Sequence, residues 1–199
     1  MEKRAAFRAD EYWGRPVPAF GDAEGRVLIV GLAPAAHGAN RTGRMFTGDR
    51  SGDWLYGALH RAGFANQPHS TSVDDGLSLS GALVTAAVRC APPANRPTPG
   101  ERDACRPWLE AELDLLPQLR VIVVLGNFAY QLMCRVLTDR GYPIPRPRPR
   151  FGHGVEIELE PGLTMICSYH PSQQNTFTGK LTEEMFDAVW ARAADVARP

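Results

Sequence analysis

The stretch from Arg120 to Asp139, RVIVVLGNFAYQLMCRVLTD, decides the fold class. After Arg120 it runs Val121-Ile122-Val123-Val124-Leu125, an unbroken apolar segment rich in β-branched residues. A run of that length without polar alternation reads as a strand buried on both faces, the pattern of a parallel sheet. Gly126 then turns the chain, and Asn127 to Asp139 reads as a helix. Working outward, Arg26–Leu32 (RVLIVGL) and Leu83–Val88 read as further strands. Val155–Leu159 and Leu163–Ser168 read as a strand pair. Helices are expected from Asp53 to Phe64 with Gly63 as the stop, and from Pro99 to Leu116 with Trp108, Leu109, Leu113 and Leu116 at helical spacing. A last helix follows Thr182 as cap, with Glu183 and Glu184 suiting its first turn. Pro143–Pro149 is proline-rich and extended. Strands alternating with helices make an α/β domain whose mostly parallel sheet is covered on both faces. One domain over residues 1–199 is expected, without repeats.

The 199 residues are 44% hydrophobic, enough for one packed core, and the formal net charge is zero. Total charge therefore gives no sign of a nucleic-acid partner, but Arg41 to Arg50 and the trio Arg146, Arg148 and Arg150 form local basic segments. The acids cluster later, at Glu156, Glu158, Glu160, Glu183 and Glu184. No apolar run approaches the roughly 20 residues of a membrane span, and Met1–Asp10 has no signal-peptide core, so a cytoplasmic protein is expected. The cysteines Cys90, Cys105, Cys134 and Cys167 form no Cys-x-x-Cys pair and read as reduced, small buried residues.

In such a sheet, ligands bind where loops leave the carboxyl ends of the strands. Three loops do so: Ala33–Ser51, Ala91–Thr98 and Tyr169–Lys180. The first, 19 residues long and glycine-rich, is of a length that is usually functional. Gly38 and Gly43 have phosphate-loop spacing, but Arg44 and Met45 stand where that motif needs Lys and Ser or Thr. The middle loop sets Asn95 and Arg96 between prolines, as a positioned side chain or a simple Asx-type turn. The last loop opens on His170, stiffened by Pro171. It carries Gln173, Gln174 and Asn175, which can reach base edges, and Phe177, a wedge or a core residue.

The pair GLAPAAHGANRTGRMFTGD (31–49) and HPSQQNTFTGKLT (170–182), with CAPPANRPTPGERDACRPWLE (90–110) between them, resembles the type b, or family 5, uracil-DNA glycosylases. The likeness runs from about Tyr12 to Ala194. It implies a three-layer α/β/α fold with a central four-stranded, mostly parallel sheet. It also implies a monofunctional glycosylase of base excision repair that flips a deaminated base out of DNA and hydrolyses its N-glycosidic bond. By the same resemblance His170 stabilises the departing base, and Asn95 or Asp49 handles the water, since Ala36 stands where other branches carry an acid or amide. Phe46 stacks on the flipped base. Gly31, Ala33 and Ala36 line the sugar, and Ser172 and Asn175 belong to the loop that enters the duplex. Ala86 falls where strict uracil enzymes carry a base-reading asparagine, so uracil, hypoxanthine and xanthine are all expected substrates. The expected partner is DNA, double-stranded and mispaired, with single strands as a further form, bound by a monomer in the nucleoid. Finally, the resemblance implies a [4Fe–4S] cluster. Cys90 and Cys105 match its later ligand pair. The earlier pair belongs to an N-terminal Cys-x-x-Cys segment that this sequence lacks, so a truncated start is expected. Two other classes stay open: a DNA-binding module without activity, and a nucleotide-binding enzyme using the first loop.

Overall fold

The computed structural model describes residues 3–198, so Met1, Glu2 and Pro199 of the expected domain lie outside the described residues. Six strands form one sheet: β1 (Phe20–Gly21), β2 (Val27–Gly31), β3 (Ala82–Ala86), β4 (Val121–Leu125), β5 (Glu156–Glu160) and β6 (Leu163–Ser168). Their order is β1-β3-β2-β4-β6-β5. The inner pairs β3·β2, β2·β4 and β4·β6 are parallel, and the outer pairs β1·β3 and β5·β6 antiparallel. The expected four-stranded sheet is thus the parallel centre of a larger one. The pattern explains why. β2, β3 and β4 are buried at every residue, whereas β5 alternates buried and exposed positions as an edge strand does. The two-residue β1 is too short to leave a period in the sequence.

Alternation along the central strands divides the core. Val27, Ile29, Val121 and Val123 pack on one face of the sheet with Leu55 and Leu59 of α2 (Arg50–Arg61, after the short α1, Ala39–Thr42). Phe186 and Trp190 of the last helix, Glu183–Val196, complete that layer. Leu28, Val30, Ile122 and Val124 face the other way, onto Leu109 of α3 (Pro99–Asp114) and onto Met133 and Leu137 of α4 (Asn127–Asp139). This is the three-layer α/β/α arrangement. The helix after Thr182 is α6, preceded by α5 (Gln173–Phe177). Thr182 caps α6 through Met185 N, and Thr98 and Glu101 form a reciprocal capping box on α3.

The segments read as loops contain α1, the 3-10 turn Pro93–Asn95, α5 and the start of α2. α2 starts three residues before the expected Asp53, because the Asp49 carboxylate accepts a hydrogen bond from Gly52 N (3.1 Å) and caps it. α5 is a single turn capped by Ser172 through Asn175 N. Among the described residues no helix is long and apolar enough to cross a membrane.

Candidate active site

All three expected loops leave the carboxyl ends of parallel strands, and together they surround a cleft of about 590 Å³. Ala33, Ala36 and Asp49 line it from the first loop, Asn95 from the middle loop, and His170 and Ser172 from the last. Gln173 and Gln174 join them at the start of α5. Residues far apart in the chain are brought together because β2, β3 and β6 end on the same side of the sheet.

His170 follows β6. Its imidazole pKa is pushed down to about 4 by burial, so the ring is neutral at physiological pH. No opposing charge or hydrogen bond contributes to that shift. The backbone carbonyl of His170 accepts a hydrogen bond from Asn175 Nδ2 at 2.9 Å. Asn175 therefore ties the loop to itself with its amide NH₂, and it does not line the cleft. The Phe46 ring stacks against the His170 ring, with centroids 5.9 Å apart and planes 29° from parallel. Phe46 Cε2 and Cζ lie against Gly31, where a Cβ would come within 2.8 Å of them, so the absence of a side chain there makes room for the ring.

The Phe46 backbone has φ of 53°, an uncommon conformation for a bulky residue. Its neighbours hold it there. Met45 O accepts hydrogen bonds from Tyr56 Oη (2.7 Å) and Thr47 Oγ1 (3.2 Å). Arg44, 4% exposed, donates to Thr47 Oγ1 (3.0 Å), Ser70 Oγ (2.8 Å) and Asp75 Oδ2 (2.6 Å). The basic character of this loop, read from sequence as a surface feature, is therefore spent partly inside.

Asp49 packs over Gly38, where a Cβ would lie 2.1 Å from Oδ2. Burial raises its carboxyl pKa against the hydrogen bonds from Gly52 and Ser51 that lower it. Asn95 is exposed in left-handed backbone geometry (φ 54°) at the end of a short 3-10 turn, Pro93–Asn95. Ala86 is 4% exposed and pairs with Gly31 across the sheet; it sits in the core rather than in the cleft wall. Phe177 is 66% exposed with the Arg50 guanidinium over its ring at 4.6 Å, which removes the core reading.

The N-terminal segment, read from sequence only as charged, forms another wall through Arg4 and Phe7. Arg41 stacks over Phe7 and pairs with Asp10 at 2.9 Å. Tyr12 Oη hydrogen-bonds His37 Nδ1 at 2.8 Å, and His37 also lines the cleft. His37 is visible in the glycine-rich motif, but nothing in the N-terminal sequence signals that this segment folds back onto it.

Cys90, exposed where a buried residue was expected, and the half-buried Cys105 are neighbours beyond the carboxyl end of β3. Burial and then the Cys105 thiol push Cys90 up, and Arg89 N approaches Cys105 Sγ at 3.5 Å. Cys134 and Cys167 are buried in the core, the Cys167 thiol pushed up to about 12 by burial and by Cys134. A [4Fe–4S] centre takes four thiolates, and among the described residues no group of three or more His, Cys, Asp or Glu could hold a metal. Among the described residues the neighbouring Cys90 and Cys105 supply two of those four thiolates.

Comparison with known proteins agrees with this geometry. The family model of the uracil DNA glycosylase superfamily matches residues 18–194. The type-5 uracil-DNA glycosylase of Mycobacterium tuberculosis is 56% identical over 196 residues, covering 98% of this chain and 72% of the relative. That of Thermus thermophilus is 51% identical over 195 residues, covering 98% and 86%. That of Pyrobaculum aerophilum is 46% identical over 183 residues, covering 92% and 77%. The chain belongs to the uracil DNA glycosylase superfamily, in its type-5 uracil-DNA glycosylase branch.

Proposed function

We propose that the chain removes uracil from DNA by hydrolysing its N-glycosidic bond, leaving an abasic site for base excision repair. The observation that carries this reading is a half-buried, neutral imidazole at His170 on the wall of a cleft formed by three strand-end loops. The flipped nucleotide enters that cleft. The C1′–N bond breaks with both electrons moving onto the base. An N–H of the His170 ring donates to the oxygen on which that charge accumulates. A neutral donor suits this task, because it stabilises the anion without handing over its proton. Water adds to the cationic C1′ and gives up a proton, which by way of solvent neutralises the departed base anion, leaving free uracil and the abasic sugar. Incubation with a duplex containing one uracil, followed by alkali, tests the reading. Strand cleavage at the uracil supports it, and a mobility shift without cleavage leaves a binding module in its place.

For the water, Asn95 and Asp49 are the two cleft residues in contention. Asp49 spends Oδ1 on capping α2, whereas the Asn95 side chain is exposed at the rim. Asn95→Ala is expected to cut the single-turnover rate by about 10²-fold, the cost of a misplaced reactant. Asp49→Asn should be milder, since an amide oxygen still accepts from Gly52 N. Abolished activity in Asp49→Asn, with Asn95→Ala spared, assigns the water to Asp49 instead.

Substrate range is the finer part of the proposal. Ala86 is packed in the core, so that position places no hydrogen-bonding side chain in the cleft to read the base edge, and selection among bases by that group is absent. Hypoxanthine and xanthine are then substrates beside uracil, with mispairs preferred because flipping costs less there. Excision of uracil and hypoxanthine from otherwise identical duplexes is the comparison to make. Hypoxanthine left intact at high enzyme concentration excludes the broad pocket.

A further inference from the structure

Beside the cleft just described lies a second one of about 580 Å³, between the first turn of α4 and the segment Pro149–Phe151. Its walls include Arg148, Arg150 and Lys180, with Asn127 and Gln131 from α4 and Tyr169 between them. Among the described residues no acid lines it. Several surface arginines elsewhere are neutralised locally. Arg61, Arg102, Arg106, Arg140 and Arg192 are each paired with a carboxylate. Arg148, Arg150 and Lys180 make no salt bridge among the described residues; Lys180 instead lies over the Tyr169 ring at 4.9 Å. In a chain of zero net charge, three cations left without acids in one concavity concentrate positive potential there. The first turn of α4 adds to it, because Gly126 supplies no side-chain cap and the free N–H groups of that turn point outward from the helix end.

The two clefts share a wall. Tyr169 and Lys180 face the basic cleft, and His170, Ser172, Gln173 and Gln174 face the other. Tyr169 and His170 are consecutive, so the two clefts adjoin along the loop 169–180. Successive phosphates along one DNA strand rise by only about 3.4 Å each. A strand that delivers a nucleotide past His170 therefore carries its neighbouring phosphates across this loop.

We propose that the basic cleft of Arg148, Arg150 and Lys180 seats backbone phosphates of the duplex next to the flipped nucleotide. It sets affinity and register and takes no part in bond breaking. This rests on the glycosylase reading above for the position of the flipped nucleotide.

The test is the double variant Arg148→Gln, Arg150→Gln, titrated against a fluorescent duplex that contains one abasic site, so that nothing turns over. The slope of log affinity against log salt is expected to become shallower by about 1.8, at about 0.9 for each phosphate that is no longer neutralised. The single-turnover rate on a uracil duplex at saturating enzyme should stay within about threefold of the parent. The Arg148→Lys, Arg150→Lys variant should keep the parental slope, since Lys retains the charge. An unchanged slope in the Gln variant overturns the proposal. So does a larger loss of rate at saturation in a variant that melts like the parent, for the cleft then belongs to the chemistry. If melting shows the Gln pair unfolded, Arg150→Gln, Lys180→Gln carries the same test. A parent that leaves uracil in place, while the slope still falls in the variant, removes the functional reading and keeps the phosphate seat.

Discussion

His170→Ala is expected to lower the single-turnover rate of uracil excision by about 10²–10³-fold, the usual cost of one donor aimed at developing negative charge. Affinity for a duplex already carrying an abasic site should change by less than about threefold, because the missing hydrogen bond strengthens only as the base departs. Burial holds the imidazole pKa at about 4. The donor is thus neutral, and the rate should not fall with a pKa near 6.5, the ordinary value for histidine. The same shift affects stability. The unfolded chain takes up a proton at His170 near pH 6.5, while the folded chain resists until about pH 4. The neutral ring therefore suits the fold fully above pH 6.5, and stability drains away as pH falls through that window. In His170→Ala this part of the acid sensitivity should be missing. Melting curves between pH 4 and 7 for both proteins read it directly. A rate within about threefold of the parent would remove His170 from the chemistry.

The sequence was legible where burial alone dictates pattern. β2, β3 and β4 are covered on both faces, so each reads as an apolar run, and the helix after Gly126 begins and ends where expected. The family resemblance singles out Asn95, Asp49 and His170, which the fold brings to one cleft. What stayed hidden depends on packing between segments distant in sequence. The cap that starts α2 early is a local bond, but Asp49 in a glycine-rich loop reads equally well as a free carboxylate. The wall made by Arg4 and Phe7 exists because Arg41 and His37 bind the N-terminal segment, and no periodicity encodes that. Ala86 is a case of the opposite kind: the family resemblance is what sets it at a base-reading position. Only the register with Gly31 and its burial show that the alanine itself packs in the core.

The charge at Arg44 leads to the other large effect. Asp75→Ala is expected to destabilise the fold by about 3–5 kcal/mol, the cost of leaving one member of a buried ion pair behind. For a chain of this size that lowers the melting temperature by about 6–20 °C. Arg44 is 4% exposed, and its alternative partners, Thr47 and Ser70, are neutral hydroxyls that cannot offset a guanidinium charge. Asp75 also accepts from Thr71 N (2.7 Å), Ser72 N (3.3 Å) and Leu77 N (3.0 Å), so its removal frees the whole turn. Burial alone would raise the Asp75 carboxyl pKa; Arg44 and those three backbone donors outweigh it and hold the group well below the usual carboxylate range. A depressed carboxyl stabilises fully above about pH 4 and loses its effect as pH falls through the folded-state value. The gap between parent and variant should accordingly be widest near neutral pH and narrow in acid, which urea titrations at several pH values would measure. A uniform gap, or one below about 1 kcal/mol at pH 7, means that water reaches Arg44 and screens it. The consequence extends to the site, because Arg44 and Thr47 flank the residue held at φ of 53°. With Arg44 unpaired, Phe46 loses part of what keeps it over Gly31 and against His170. Excision by the surviving folded protein should then fall as well, although Asp75 itself does not line the cleft.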